Sequence, residues 1–372
     1  MNVWMNILSA HPRRSGGVGT YCHELLRPLS RVPGLRLTLL CPPALADHFR
    51  SLVDCEVRTP GIPLPSRLAR LLYEQTWLSH YARHRGAELL FCPGYLSPVT
   101  PTLPTVVTIP DTQFRDIPEM IAPGQRAAYR ALIPIAARQA AAIITISWFS
   151  RNQILKHLRV APERVRVTHL ASRLSDKGQT WNGPTLPEHF ILCVSSSNPH
   201  KNIQRLCRAY AAAQAVFAKP WPLVLVGQFA PEWKRHPSVA VSNIHCLGYV
   251  SDAELASLYH RASAFVFPSL YEGFGLPVVD AMGAGLPVAC SNAASLPEVA
   301  GGAALLFDPQ SESEMAAALV RLVNEPELRA QLAAKGLRNA SRFSWVECAR
   351  QTADVFRSVL AESQECSGRH RE

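Results

Sequence analysis

The stretch "AFVFPSLYEGFGLPVVDAMGAGLPVACS", residues 264–291, decides the fold. "AFVFPS" and "LPVACS" are short apolar runs of the kind that form buried strands. "LYEGFG" between them holds the glycines of a turn. Residues 276–284 then have helical character, with Pro277 in the first turn, where its missing N–H is no loss. Strand, helix, strand is a βαβ unit, and such units build a parallel sheet. Two acids interrupt this apolar stretch, Glu272 and Asp280, eight positions apart. An unpaired buried carboxylate is costly, so both need a partner or a task.

The same alternation extends in both directions. Downstream and upstream in the second half, "FILCVS", "PLVLVG", "NIHCLG" and "AALLFD" read as strands. Helical patterns cover 201–218, 252–262, 312–324 and 326–341. Ser251 with Glu254 forms a capping box, which fixes the start of the helix at 252. In the first half the strands are "WMNILSA", "LRLTLLC", "ELLFC", "TVVTI", "AAIITIS" and "RVRVTH". Helical patterns at 17–32, 66–85, 124–140 and 149–159 separate them. The polar segment 171–189 has Gly and Pro but no periodicity, and reads as a linker. The expected organisation is therefore a Rossmann-like domain over 1–175, a second over 186–343, and a C-terminal helix in 344–372 that packs back on the first domain. The fold class is α/β, with two doubly wound domains facing across a cleft. Ligands in such folds bind beyond the strand C-termini.

Composition narrows the class. The chain has 372 residues, 48% hydrophobic and 18% charged, as in globular enzymes. It has no apolar run long enough to span a membrane and no signal-peptide start. Its ten cysteines form no C-x-x-C pair and several sit inside apolar runs, which predicts free thiols and a cytoplasmic setting. The net charge of +10 belongs to the first half: residues 1–185 carry 22 Lys and Arg against 11 Asp and Glu. A basic surface favours anionic partners such as membrane faces. The basic residues are scattered and form no recognised nucleic-acid module, so no nucleic-acid partner is expected.

Three motifs carry the chemistry. "HPRRSGGVGTY", residues 11–21, follows the first strand and opens a helix. Gly16 and Gly17 let a phosphate or sugar approach the backbone, or simply make the turn. A nicotinamide fingerprint is disfavoured, because no acid follows the second strand. "SSSNPHKN", residues 195–202, stands at the equivalent place in the second half. It puts Ser196 at a strand end and Lys201 in the first turn of a helix. A cation there opposes the helix dipole, and a bound polyanion would compensate. In "YEGFGLPVVD" the carboxylates of Glu272 and Asp280 flank the amides of Phe274, Gly275 and Leu276. A nucleotide sugar offers the matching row: sugar hydroxyls, diphosphate, ribose diol. The competing reading makes the two acids ordinary helix-start residues.

With these pieces the sequence resembles the large family of retaining glycosyltransferases with the GT-B fold, carbohydrate family four. The resemblance rests on "SGGVGTY", "TISWFSRNQILKHLRVAPERVRVTHLA", "NPHKNIQRLCRAY", the segment from "GYVSDAELASLYHRAS" through "GGAALLFDP", and "FSW" before the last helix. It implies that Glu272 holds the donor sugar, Asp280 the ribose and Lys201 the diphosphate. Gly16 and Gly17 would close over the donor, with Ser196, Gly273, Phe274, Gly275 and Leu276 completing its site. The reaction would retain anomeric configuration, the leaving phosphate taking the acceptor proton.

The chain departs from the family pattern at three places. Asp280 replaces the usual Glu, Pro110 stands where a His is usual, and Ser195, Ser196 and Ser197 occupy the place of an Arg. Asp111, beside Pro110, is a candidate for catalytic contact with substrate, or else a turn residue. No D-x-D occurs, so no metal and no cofactor are expected, and the nucleotide sugar is a substrate.

The acceptor would be a glycan or lipid-linked saccharide, and the donor GDP-mannose. Segment 66–85, basic and amphipathic with Trp77 and Tyr81, is either a peripheral contact with the inner membrane or a core-facing helix. Alternative functions are a sugar-nucleotide epimerase of the same fold and a non-catalytic subunit that binds nucleotide sugar.

Overall fold

The structure is a computed structural model describing residues 1–10, 17–174, 181, 183–229 and 243–369, with side chains to 365. The chain divides into two compact units. The first is Met1–Leu170 together with the chain from Ser344; the second is Ala171–Phe343.

The first unit holds strands β1 (Asn2–Asn6), β2 (Arg36–Leu40), β3 (Glu56–Arg58), β4 (Leu89–Cys92), β5 (Thr105–Thr108), β6 (Ala142–Thr145) and β7 (Val165–Val167). They form one parallel sheet in the order β3-β2-β1-β4-β5-β6-β7. Early crossovers are α1 (Gly17–Ser30), α2 (Ala46–Leu52), α3 (Arg67–Thr76) and α4 (Leu78–His84). Later ones are α5 (Gln113–Asp116), α6 (Pro123–Gln139) and α7 (Trp148–Leu158). β4, β5 and β6 are buried along their whole length, as strands covered on both faces must be.

The second unit repeats the plan with β8 (Ile191–Ser196), β9 (Leu223–Gln228), β10 (Ile244–Gly248), β11 (Ala264–Phe267), β12 (Val288–Ser291) and β13 (Ala304–Phe307). Their order is β10-β9-β8-β11-β12-β13. The helices are α8 (Ile203–Ala213), α9 (Asp252–Arg261), α10 (Leu276–Gly283), α11 (Leu296–Ala300), α12 (Glu312–Asn324) and α13 (Pro326–Ala340). The final helix, α14 (Trp345–Arg369), returns to the first unit, where Phe356 packs on Phe91 with ring centroids 5.1 Å apart. Two Rossmann-like parallel sheets with helices on both faces are the GT-B architecture expected from sequence.

One sheet contact depends on a missing side chain. A Cβ at Gly227 would lie 1.8 Å from the Ser195 carbonyl oxygen, and the residue sits at φ 134°. Only glycine lets β9 run this close to the end of β8. The capping box at α9 is present as predicted, Ser251 Oγ accepting from the Glu254 amide and Glu254 from the Ser251 amide.

Three expectations are corrected. The helix at 66–85 is broken at Trp77 into α3 and α4. The helix after β8 begins at Ile203 rather than 201, because Pro199–Lys201 form a 3-10 turn and Asn202 takes a left-handed conformation, φ 59°. Lys201 therefore lies in the turn just before the helix N-cap. The second unit also starts at Ala171, ahead of the 186 suggested by polar composition, since Ser172 and Arg173 bond within it.

Candidate active site

In an open α/β sheet the strand order reverses at one point, and a crevice opens there beyond the strand C-termini. In the second unit that point lies between β8 and β11. The loop after β8 carries Lys201, and the loop after β11 carries Glu272. Lys201 Nζ donates to Glu272 Oε1 at 2.6 Å, with side-chain exposures of 19% and 14%. The ammonium also stands 5.5 Å from the centre of the Phe267 ring, at the end of β11.

Main-chain bonds fix both loops. The Leu270 amide donates to the His200 carbonyl at 2.8 Å. Asn202 is buried, and its Nδ2 donates to the carbonyls of Pro268 and Pro309 at 3.0 and 2.7 Å. The left-handed turn at Asn202 thus aims its side chain across the sheet edge and ties the two loops together. His200 lies beside the pair. Burial pushes its imidazole down to about 4, helped by the Lys201 charge and opposed by Glu272. Its Nδ1 is buried with no hydrogen-bond partner. Its unpaired nitrogen is visible only in three dimensions.

The Gly273–Phe274–Gly275 turn is built to deliver a helix start. Ser295 Oγ donates to the carbonyls of Glu272 and Phe274, both at 2.9 Å. Gly275 is the N-cap of α10 at φ 105°, and a Cβ there would meet Leu296 Cδ2 at 2.6 Å. Leu276 opens α10, where the first amides have no intrahelical acceptor and favour anions. The Phe274 ring packs inward on Phe343. Ser196 ends β8, its Oγ accepting from the Asn198 amide at 3.5 Å.

Asp280 is fully buried in α10. Oδ1 accepts from Ser172 Oγ at 2.9 Å and from the Arg173 amide at 3.0 Å, and Oδ2 from Arg173 Nε at 3.3 Å. Arg173 reaches Asp252 as well, at 3.2 Å. Burial raises the pKa of Asp280, opposed by the guanidinium and these hydrogen bonds. Sequence spacing puts this acid one helical turn past Glu272 but does not reveal that the chain at 172–173 covers it.

The remaining predicted residues lie in the first unit. Gly17 is the first residue of α1 and has open space around its Cα. Gly16 lies outside the described residues. Asp111 follows β5, where its Oδ1 accepts from Tyr95 Oη at 2.9 Å and from the Gln113 amide at 3.1 Å, an arrangement that shapes the turn. Among the described residues, no three His, Cys, Asp or Glu side chains gather as a metal-ligand group.

A loop-borne lysine and carboxylate stand at a switch point beside a glycine-framed helix start, groups of the kind that receive phosphates and hydroxyls. The model described as Glycosyltransferase Family 4 matches residues 15–171, and that of Glycosyl transferases group 1 matches 188–325. The chain belongs to this glycosyltransferase family. O-antigen chain mannosyltransferase B of Escherichia coli is 35% identical over 228 residues, 58% of this chain and 60% of that protein. Among solved structures, a sucrose-phosphate synthase of Thermosynechococcus elongatus superposes with TM-score 0.75 at 18% identity, over 97% of this chain and 99% of its own. HepE of Anabaena, in complex with UDP and glucose, does so with TM-score 0.71 at 18% identity, over 96% and 100%.

Proposed function

We propose that the chain transfers mannose from GDP-mannose to a glycan or lipid-linked saccharide acceptor in cell-surface polysaccharide assembly, with retention of configuration. The Lys201–Glu272 pair at the β8/β11 crevice carries this reading. A diphosphate arriving beside Lys201 offers two charges against one carboxylate, and so draws the ammonium away from Glu272. The freed carboxylate accepts from sugar hydroxyls. Lys201 and the amides opening α10 stabilise the charge that grows on the departing diphosphate, the kind of fixed electrostatic donor that dominates catalysis. That phosphate takes the acceptor proton, so neither a side-chain nucleophile nor a metal is assigned. Asp111 is assigned to its turn, and Asp280 to holding the segment at 172–173.

The relatives' mannosyltransferase activity supports the donor sugar, and the nucleotide-bound neighbour supports the donor class. Membrane contact is assigned to the outer face of α3 and α4, where Leu68, Leu72 and Trp77 are 64%, 57% and 67% exposed beside the exposed Arg67, Arg83 and Arg85. Among the described residues, no helix is long and apolar enough to cross a membrane. The proposed contact is peripheral, at the cytoplasmic face.

A thermal-shift screen of GDP-, UDP-, ADP- and dTDP-sugars tests the donor, because a ligand that binds the native state raises its melting temperature. GDP-mannose is expected to give the largest shift, and transfer of labelled mannose to a lipid-linked glycan to follow. Free mannose or an epimer released without acceptor would point to an epimerase. Binding without turnover would point to a non-catalytic subunit.

A further inference from the structure

By sequence, Asp280 ends a row of groups that matches a nucleotide sugar, at the place of the ribose diol. In the fold the two acids of that row stand in different surroundings. Glu272 lies on a loop with 14% of its side chain exposed, and bonds through Oε1. The Asp280 side chain is 1% exposed, and both of its oxygens are occupied. Ser172 Oγ and the Arg173 amide donate to Oδ1, and Arg173 Nε donates to Oδ2.

The cover extends along the helix. Gly283 lies three residues past Asp280 and so on the same face of α10. A Cβ at Gly283 would stand 3.3 Å from Ser172 Oγ and 3.5 Å from Ser172 Cβ, so the chain at 172 rests directly on that face. Ser172 Oγ is fixed in turn, accepting from the Leu174 amide at 3.2 Å. Arg173 Nη1 reaches Asp252, the first residue of α9. Arg173 thus bridges the starts of α9 and α10, and Asp280 is the buried end of the bridge.

This clasp and a ribose compete for the same acceptor atoms. A ribose hydroxyl could match the Ser172 bond, but it brings no charge to replace the guanidinium. The donors at 172–173 would also lose their buried acceptor, and an ion pair broken in this way is strongly destabilising. Asp252, the other partner of Arg173, is 82% exposed at its side chain and in water gives little in return. The exchange is unfavourable.

We propose that the clasp takes Asp280 out of donor recognition, so that the chain does not select for the ribose hydroxyls and accepts 2′-deoxy- and 3′-deoxynucleotide donors. This inference rests on the nucleotide-sugar reading above. Selection then falls on the diphosphate and the sugar, at Lys201, the first amides of α10 and Glu272.

Calorimetric titration of the full chain with GDP, UDP and ADP, each beside its 2′-deoxy and 3′-deoxy forms, tests this. The nucleotide that binds is expected to have a Kd within about threefold of those of its deoxy forms. A site built around a ribose hydroxyl would reject the analogue lacking it by far more than about tenfold. In a second protein, Ser172→Ala with Arg173→Ala, the carboxylate loses its side-chain donors. Preference for the ribose form should then rise to about tenfold or more, a ratio that lost stability alone does not move. The wild-type comparison decides the matter if this second protein fails to fold. A wild-type preference of about tenfold or more for the ribose form would overturn the inference and leave the transferase reading standing. A folded double variant with the wild-type ratio would overturn the clasp as the cause. Binding of no nucleotide would remove the transferase reading and the inference together.

Discussion

Lys201 and Glu272, 71 positions apart in the chain, meet at 2.6 Å across the point where the second sheet reverses its strand order. Each is the other's counter-ion, at 19% and 14% side-chain exposure. Under the proposed function the pair holds the donor site in a neutral form that a diphosphate opens. Replacing Glu272 by Gln keeps shape and hydrogen bonding but removes the carboxylate. Initial-rate transfer assays should show turnover reduced about 100- to 1000-fold, the usual cost of losing one fixed electrostatic contact in a transition state. Full activity in this variant would remove Glu272 from the site.

His200 predicts a pH dependence. Its pKa is 6.5 when unperturbed and about 4 in the fold. Between those values the unfolded chain binds the proton and the native state does not. Stability therefore falls as pH drops from 6.5 to 4, by up to about 3 kcal/mol. Denaturant melts at several pH values should show this slope in wild type and a flatter one in His200→Gln.

Asp280 gives a stability prediction. Asp280→Ala leaves Arg173 with only the exposed Asp252 as partner. Loss of one member of a buried ion pair typically costs about 3–5 kcal/mol, so urea unfolding should register a loss of that order. A variant as stable as wild type would show that the Ser172–Arg173 contacts contribute nothing.

These three residues mark how much was legible in the sequence. Lys201 and Glu272 were identifiable, because each closes a strand–turn–helix signature with glycine or proline at fixed places. Their pairing was not, since no local pattern reports which loops a strand order brings together. Asp280 was identified as a buried acid needing a partner, but the partner lay across a segment whose polar composition looked like a plain linker. Most strands were readable as apolar runs. The exception was β3, three residues at a sheet edge with no fully buried position and hence no apolar signal. The 66–85 helix read as continuous because its apolar spacing carries through Trp77, where the structure divides it. Nor does periodicity show that α3 buries Glu74 and Gln75 beside Tyr73 while Leu68 and Leu72 face outward, because it cannot tell which face a helix turns inward.

The outer face of α3 and α4 leads to a membrane prediction. Vesicles containing phosphatidylglycerol should carry the protein in flotation, and neutral phosphatidylcholine vesicles should not. Leu68→Ser with Trp77→Ser should reduce flotation at least tenfold, since both side chains are exposed and their loss leaves the core intact.

Calorimetric titration of GDP and GDP-mannose into wild type, Lys201→Met and Glu272→Gln tests the central claim most directly. Wild type should bind both ligands. Lys201→Met should weaken both by tenfold or more, a loss of at least about 1.4 kcal/mol. Glu272→Gln should keep GDP but lose the added affinity for the sugar-bearing donor. Affinities for both ligands that are the same in all three proteins would contradict the assignment of the donor to the β8/β11 crevice.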